Sequence, residues 1–362
     1  MNDDEQREAG LTATVSRSEF DLIRSIREQA SKQAPSQSVG ANLSTLLRGI
    51  GDDGAVIKQQ AGRETVISTD LLVEDVDFRR DTTTPQLLGH KALSVSLSDN
   101  AAMGARPRWA LLSLAVPQQI WDSDFIDQFY EGFFDLAHRY DVRLVGGDVS
   151  RAADKLTIDS ILLGECGANQ SVFRSGAQPG DLLFVTGSLG GAAGGLRLIE
   201  RGARLGQEHT TEPEWKLVQE LLHRQLSPEP RVGWGVVLGE ERLASAMIDI
   251  SDGLSSDLNH LCGESKVGAL VQADKLPVAT PVTELCGRRA LDPLMLALHG
   301  GEDFELLFTV NPQNVSKLPV KVDGVSVTCI GEIKKAEAGI RISEGSRVWE
   351  LKAEGWQHFG AH

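Results

Sequence analysis

Aspartates recur at the boundaries of short apolar segments along this 362-residue chain. The first example, the pair Asp52-Asp53, stands between glycines and runs directly into Val56-Ile57. Because adjacent side chains on an extended backbone face opposite sides, one carboxylate of the pair can face a site while the other anchors the loop or meets solvent. The flanking glycines allow unusual dihedrals and the close approach of a ligand. The same residues are also typical of a surface turn, so the motif gains weight only because it is repeated.

Further apolar segments bring aspartates to a predicted strand end or to a predicted helix face. The predicted segments and their acids are a strand over residues 65–69 ending at Asp70, a helix over residues 86–103 carrying Asp99, a strand over residues 142–145 closed by Asp148, and a strand over residues 244–250 carrying Asp249 and followed by Asp252. On the helix, Asp99 continues the apolar stripe of Leu88, Ala92 and Val95. A carboxylate on a buried face is costly unless it is neutralised. The alternative is that this face has rotated to solvent.

The chemistry of these acids points to a hard cation. Hydroxyl groups stand beside them at Ser68, Thr69 and Ser251, and no histidine or cysteine cluster accompanies them. Oxygen-only ligands suit Mg²⁺, Mn²⁺ or Ca²⁺, and Mg²⁺ usually shares its coordination with waters and substrate phosphates. The pattern therefore indicates a nucleotide or phosphate enzyme with several ions, if the acids converge. The alternative is that each aspartate is only a helix cap or a turn residue.

Composition limits the partners. Fifty-one acidic and 36 basic residues give a net charge of −15, which disfavours nucleic acid or an anionic membrane as the main partner. The four cysteines are far apart, with no CxxC pair, so a reducing cytoplasm is expected. The longest apolar run, residues 110–116, is too short to span a bilayer, and the acidic N-terminus is the opposite of a signal peptide.

Strands and helices mix in both halves of the chain, which predicts an α+β or mixed α/β architecture with two domains. We expect an acidic disordered tail over residues 1–17, an N-terminal domain over residues 18–166 and a C-terminal domain over residues 167–362. Residues 203–213 resemble an insertion or a mobile loop.

Three features of the C-terminal half have two interpretations each. The glycine-rich residues 187–191 precede a predicted helix and could bind phosphate through backbone amides, although they equally fit a packing turn and are not a Walker A loop. Arg174 could contact phosphate or form a surface salt bridge. Trp356, in a polar C-terminal segment, could pack on the domain or stack on a flat heteroaromatic substrate.

Seven short motifs occur in order, and together they resemble a known family. They are GDD at residues 51–53, STD at 68–70, SDNAAMGA at 98–105, GGD at 146–148, RSG at 174–176, DISDG at 249–253 and GGED at 300–303. Over about residues 18–360 the chain resembles the thiamine-monophosphate kinases of the aminoimidazole-ribonucleotide-synthetase-like superfamily.

This resemblance implies a fold, an activity and a set of partners. The implied fold is a two-domain synthetase-like fold whose N-terminal sheet domain dimerises and whose active site lies between the domains. The implied reaction is Mg²⁺-dependent transfer of the γ-phosphoryl group of ATP onto thiamine monophosphate, which yields thiamine diphosphate. Relatives of this kind are cytoplasmic homodimers, and several Mg²⁺ ions per site are expected.

The resemblance also assigns roles by position. The implied catalytic residues are Asp70, Asp148 and Arg174; the implied ATP contacts are Gly147, Arg174 and Ser251; the implied substrate positions are Asp77, Glu302 and Trp356; and the implied metal ligands are Asp53, Ser68, Thr69, Asp70, Asp99, Asp148, Asp249 and Asp252. Asp77 is a departure, because the family usually has a histidine at this substrate-side position.

The acceptor in such a reaction is an anionic phosphate oxygen, so no strong general base is required. This agrees with the absence of a compelling histidine or cysteine candidate in the sequence. Two rival activities of the superfamily need a cysteine near one terminus, whereas the first cysteine here is Cys166. The alternatives left open are another ATP-dependent enzyme of the same fold and a non-catalytic nucleotide or divalent-ion sensor.

Overall fold

The computed structural model describes residues 19–32, 46–48, 50, 55–206 and 212–356. The predicted acidic tail, Asp53 and residues 207–211 of the predicted loop lie outside the described residues.

The N-terminal part is a sheet covered on one face by helices. Its elements are α1 (Glu19–Lys32), β1 (Leu46–Arg48), β2 (Val56–Ile57), β3 (Arg63–Val73), α2 (Pro85–Ala102), β4 (Arg106–Pro117), α3 (Gln118–Trp121), α4 (Phe125–Arg139), β5 (Arg143–Ala152) and β6 (Thr157–Gly167). Within the described residues, four strands form one sheet in the order β3-β6-β4-β5, in which only β4 and β5 run parallel. A separate small ladder pairs β1 with β2.

The C-terminal part is a second, mixed sheet with helices packed around it. Its elements are β7 (Leu182–Thr186), α5 (Gly191–Glu200), α6 (Glu212–Leu226), α7 (Val232–Glu240), β8 (Ala246–Asp249), α8 (Leu254–Ser265), β9 (Gly268–Gln272), α9 (Thr280–Arg289), α10 (Pro293–His299), β10 (Leu306–Val310), β11 (Lys321–Val322), β12 (Val325–Lys334), β13 (Ile340–Glu344) and β14 (Arg347–Glu350). The strand order is β14-β13-β9-β12-β7-β10-β8, with β11 paired to β12. Strand β8 therefore lies at one edge of this sheet.

Helix α2 lies between the two parts and is buried along most of its length. The Thr84 side chain caps its N-terminus by accepting a hydrogen bond from the backbone N–H of Leu87, and Pro85 occupies the first turn. Glycines allow α2 and α4 to cross closely: a Cβ at Gly89 would lie 1.9 Å from the carbonyl oxygen of Phe129. The helix is thus fixed at its start and pressed against α4.

The mixed α/β, two-domain architecture expected from the sequence is confirmed. Two strand predictions were too short, because Asp70 and Asp148 lie inside β3 and β5 and not at strand ends. Backbone pairing continues past both residues, with Asp70 opposite Ser160 and Asp148 opposite Ser113. The domain boundary near residue 166 stays a prediction; in the structure the last strand of the first sheet ends at Gly167 and β7 begins at Leu182.

Among the described residues, no helix combines the length and apolar character that crossing a bilayer requires.

Candidate active site

Two serines of α2 hold carboxylates that come from different parts of the chain. The Ser96 hydroxyl donates a hydrogen bond of 2.7 Å to Oδ2 of Asp70, on the N-terminal sheet. The Ser98 hydroxyl donates a hydrogen bond of 2.7 Å to Oδ2 of Asp249, at the end of β8. Asp99 follows on the same helix and is half-buried, so the interpretation that its face has rotated to solvent is wrong. Helix α2 therefore gathers acids from both sheets at the domain interface.

Burial and the neighbouring carboxylates raise the pKa values of these acids. Burial, followed by the charges of Asp249 and Asp70, raises the pKa of Asp99 to about 8. Burial also raises the pKa of Asp70 to about 6, with a smaller contribution from the charge of Asp249 and an opposing one from the Ser96 hydrogen bond. For the fully buried Asp249, burial raises the pKa while the Ser98 hydrogen bond and Arg174 lower it. Carboxylates that are this close and this buried create a strong demand for positive charge.

Arg174 supplies part of that positive charge. It lies in the connection between the two sheets, and its charge lowers the pKa of both Asp99 and Asp249. The guanidinium side chain is exposed, while the backbone is held on both sides: Phe173 O accepts the Met247 N–H and Arg174 O accepts the Ser265 hydroxyl. An exposed cation on a fixed backbone, beside buried acids, is well placed to meet an anionic ligand.

The donor set fits Mg²⁺ in its chemistry. Asp70, Asp99 and Asp249 offer only carboxylate oxygens, and a cation among them would offset the burial and the neighbouring negative charges that raise their pKa values. Within the part of the chain that the structure describes, no group of three or more acidic, histidine or cysteine side chains is already arranged around one point as a metal site. The acids thus concentrate negative charge at the interface, and waters, joined by phosphates when a substrate is bound, would complete the coordination of an ion.

A second group of predicted residues meets around the loop that follows β8. The backbone N–H of Glu302 donates to the carbonyl of Ser251, and the backbone N–H of Trp356 donates to the carbonyl of Asp252. Asp257 supports the same loop, because its carboxylate accepts the backbone N–H groups of Asp252 and Gly253. The structure therefore brings Ser251, Asp252, Glu302 and Trp356 together, although they are far apart in the sequence.

Glu302 is held from two directions. The buried Lys91 of α2 places its Nζ 2.7 Å from Oε1 of Glu302, and the Gln225 side-chain amide donates to Oε2. The backbone of Glu302 has φ +64°, a region that non-glycine residues rarely occupy. The carboxylate of Glu302 is consequently fixed against α2 and α6.

The contacts of the glycine-rich turn before α5 indicate a packing turn and not a phosphate-binding loop. The carboxylate of Asp303 accepts hydrogen bonds from the backbone N–H groups of Gly190 (2.6 Å) and Ala192 (3.0 Å). Burial raises the pKa of Asp303 to about 7. A side chain of the protein itself thus occupies the anion position that this helix N-terminus offers.

The remaining predicted site residues lie elsewhere. Ser68 faces α2 and donates to the Ser96 carbonyl, whereas Thr69 faces the other side of the sheet and donates to Asp159. Asp77 uses Oδ2 to accept the backbone N–H of Val73 at 2.8 Å, which closes its own turn.

Gly147 and Asp148 lie on the edge strand β5. The carboxylate of Asp148 is exposed and accepts the backbone N–H of Val149. A Cβ at Gly147, where φ is +155°, would lie 2.0 Å from the Leu112 carbonyl oxygen, so glycine is required there. Asp148 is not among the charges that raise the pKa of Asp70, Asp99 or Asp249, and its metal role stays a prediction.

Sequence reasoning missed the polar residues of α2 that make these contacts. Lys91, Ser96 and Ser98 are all buried and all bonded to acids of the site. The available signal was a run of serines at alternate positions, KALSVSLSDN, inside an otherwise apolar helix. Buried hydroxyls in such a helix need partners, and here the partners are carboxylates.

Comparison with known proteins identifies first the class and then the family. Residues 51–166 match the family described as AIR synthase related protein, N-terminal domain, and residues 178–342 match its C-terminal domain. The two sheets with a group of acids between them are therefore those of an AIR synthase-related protein. Within that class, the chain belongs to the thiamine-monophosphate kinase family.

The relatives are similar over nearly their whole length. The chain is 35% identical to the thiamine-monophosphate kinase of Buchnera aphidicola subsp. Schizaphis graminum, over 94% of this chain and 98% of the relative. It is 37% identical to the solved thiamine-monophosphate kinase of Stenotrophomonas maltophilia K279a, with a TM-score of 0.76 over 90% and 96% of the two chains. A solved structure of AaThiL in complex with AMPPCP and TMP is 31% identical, with a TM-score of 0.72 over 94% and 97%.

Proposed function

We propose that this chain phosphorylates thiamine monophosphate with ATP, and so produces thiamine diphosphate. The observation that carries the proposal is the group of Asp70, Asp99 and Asp249 beside Arg174, in a chain of the thiamine-monophosphate kinase family. The AaThiL complex supports the pair of substrates, because AMPPCP is an ATP analogue and TMP is the acceptor.

The residues support direct in-line transfer. The acceptor oxygen belongs to a phosphate and is already anionic at neutral pH, so no side chain has to remove a proton from it. The half-buried histidines near the interface have other tasks: His90 contacts the Pro228 carbonyl and His299 contacts the Ser255 hydroxyl. Catalysis would then consist of positioning and of neutralising charge. Arg174 would offset the negative charge on the phosphoryl group.

Bound Mg²⁺ would supply Lewis-acid neutralisation of the phosphate oxygens. Asp70, Asp99 and Asp249 would hold it, with Asp252 close behind on the loop after β8. The proposal includes several ions and the remaining predicted ligands Asp53, Ser68 and Asp148. The hydroxyl of Thr69 faces the other side of the sheet, so the predicted ligand role of Thr69 is not part of the proposal. Gly147 and Ser251 are proposed to contact ATP.

The acceptor side is proposed to lie at the loop after β8. Glu302 and the exposed Trp356 flank this loop, and together they offer an acid and an aromatic face to a thiamine ring system. Asp77 would take part on the substrate side only if it left its hydrogen bond with the Val73 N–H. This requirement distinguishes Asp77 from the other two positions.

A homodimer is proposed through the outer face of the N-terminal sheet. Ile67 and Leu71 of β3 are 65% and 59% exposed, and Ile161 and Leu163 of β6 lie beside them on the same face. Exposed apolar residues that are contiguous on a sheet favour burial against a second copy. We also propose that the protein works in the cytoplasm, since all four cysteines are unpaired thiols.

Incubation of the purified chain with ATP, Mg²⁺ and thiamine monophosphate tests the function. Formation of thiamine diphosphate with one ADP per product supports the kinase. ATP use that appears only with another acceptor would instead indicate a different enzyme of this fold. Nucleotide or cation binding without turnover would indicate a sensor.

A further inference from the structure

Helix α2 presents two buried hydroxyls to two acids that come from different sheets. Ser96 and Ser98 are fully buried, and each donates a hydrogen bond of 2.7 Å to Oδ2 of one aspartate. The two carboxylates are close enough for the charge of Asp249 to raise the pKa of Asp70. One hydroxyl reaches Asp70 in the N-terminal sheet, and the other reaches Asp249 in the C-terminal sheet.

We propose that Ser96 and Ser98 are positioning residues, which turn the carboxylates of Asp70 and Asp249 toward a shared divalent cation. This inference rests on the proposed function, because it assumes that these carboxylates bind the cation. Each serine engages Oδ2, which restricts the rotation of the carboxylate and leaves Oδ1 outside that hydrogen bond. Hydrogen bonds of this kind behind metal ligands typically orient the ligands and strengthen metal binding.

Because the two acids come from different domains, the helix has a second role. Asp70 and Asp249 belong to different sheets, so their relative position depends on how the domains are joined. The Ser98–Asp249 hydrogen bond crosses that junction directly, and the Ser96–Asp70 bond ties the same helix to the other sheet. A rigid helix between the two bonds would keep the distance between the carboxylates constant without a cation present.

Ser94 provides a matched control on the same helix. It is also fully buried, and its hydroxyl donates a 2.6 Å hydrogen bond to the carbonyl of Pro228 in the C-terminal part. Its hydrogen bond goes to a backbone carbonyl and not to a carboxylate, whereas Ser96 contacts the Ser160 carbonyl in addition to Asp70. Ser94→Ala therefore reports the loss of a buried hydroxyl from α2 without altering either acid.

The test is equilibrium binding of Mn²⁺ to the full chain without nucleotide, measured as free Mn²⁺ by electron paramagnetic resonance. We expect Ser96→Ala and Ser98→Ala each to weaken Mn²⁺ binding about tenfold or more, and Ser94→Ala to leave it within about twofold of wild type. Thermal unfolding, recorded in parallel, reports the structural cost of each variant. Wild-type affinity in both Ser96→Ala and Ser98→Ala, or an equal loss in Ser94→Ala, would overturn the inference.

Two further measurements keep the test decisive. If an alanine variant does not fold, Ser96→Cys and Ser98→Cys replace a strong donor with a weak one at similar size, and the same loss of affinity is expected. Turnover of thiamine monophosphate by the wild-type chain tests the function separately. An active wild type whose serine variants bind Mn²⁺ normally would overturn only the positioning role. A wild type that binds no Mn²⁺ would overturn the shared cation site itself.

Discussion

Lys91 and Glu302 form an ion pair across the domain interface, with 2.7 Å between Nζ and Oε1 and with Lys91 almost fully buried. Lys91 belongs to the central helix α2, and Glu302 belongs to the loop before β10. The same carboxylate also accepts the Gln225 side-chain amide. The position of Glu302 therefore depends on residues from both halves of the chain.

Lys91→Met should affect the acceptor more than the nucleotide. The change removes the charge that faces Glu302 and leaves its carboxylate partly buried without that partner, which costs about 1–3 kcal/mol. We expect the KM for thiamine monophosphate to rise at least several-fold while the KM for ATP changes little, as steady-state kinetics would show. Lys91→Arg, which keeps the charge, should recover part of the loss. Equal changes in both KM values would contradict a role on the acceptor side.

Asp70→Asn and Asp148→Asn should each lower kcat about a hundredfold or more, because each would lose charge from the proposed metal shell. Both proteins should remain folded, since neither residue is in the apolar core. Circular dichroism and steady-state kinetics check the two statements. Asp154→Asn, on an exposed position of the same domain, is the control. Near-normal turnover in both variants would remove the metal-shell argument, and normal turnover in Asp148→Asn alone would limit the shell to the group around α2.

Mg²⁺ should bind more tightly as the pH rises from 6 to 8.5. The pKa values of about 6 for Asp70 and about 8 for Asp99 mean that the cation must displace protons at the lower pH. Isothermal titration calorimetry at several pH values, in buffers of different ionisation enthalpy, would measure both the affinity and the protons released. An affinity that does not change with pH would show that these acids do not bind the ion.

The same pKa values make the stability of the Mg²⁺-free protein depend on pH. Both acids have folded pKa values above the ordinary value of 3.8, so the native state binds protons more tightly than the unfolded state does. Their contribution to stability is therefore fully present below about pH 4 and is lost as the pH rises through 6 and 8. Urea unfolding should show this decline in excess EDTA, and Mg²⁺ should restore more stability at pH 8.5 than at pH 6. Asp70→Asn should flatten part of the pH dependence.

Gly190→Ala should destabilise the protein without changing nucleotide binding. Gly190 has φ +79°, and a Cβ there would lie 3.0 Å from the Ala297 nitrogen, so the free energy of unfolding should fall by about 1 kcal/mol or more. Because Asp303 already accepts the N–H groups of this turn, the KM for ATP should stay within about twofold. Denaturant unfolding and kinetics measure the two effects. A tenfold rise in the KM for ATP would restore the phosphate-binding interpretation.

Leu71→Lys should convert the proposed dimer into a monomer. Leu71 is exposed on the outer face of the N-terminal sheet, and a charge there would be buried without a partner in a dimer. Size-exclusion chromatography with light scattering should give about half the wild-type mass. Val320→Lys, at a still more exposed apolar position of the C-terminal part, is the control. A monomeric wild type would refute the dimer directly.

The sequence by itself determined the class of fold and the family, and it predicted the acids that the structure places beside α2. Apolar periodicity located α2 to within one residue at each end, and the motif set predicted Asp99, Asp249 and Glu302 as site residues. These features are local, because a periodic pattern and a motif are both contained in a short stretch of neighbouring residues. The length of a strand, in contrast, does not follow from local sequence. Strand β3 continues past Asp70 because β6 supplies hydrogen-bond partners beyond it.

Only the tertiary structure decided which acids meet and what holds them. Asp70 and Asp249 are 179 positions apart in the numbering, and α2 brings them together because its buried serines satisfy one carboxylate from each sheet. The structure also showed that Asp303 fills the glycine-rich turn and that Thr69 faces away from α2. A hydrogen bond between distant segments depends on how whole elements pack, and no local pattern of residues contains that information.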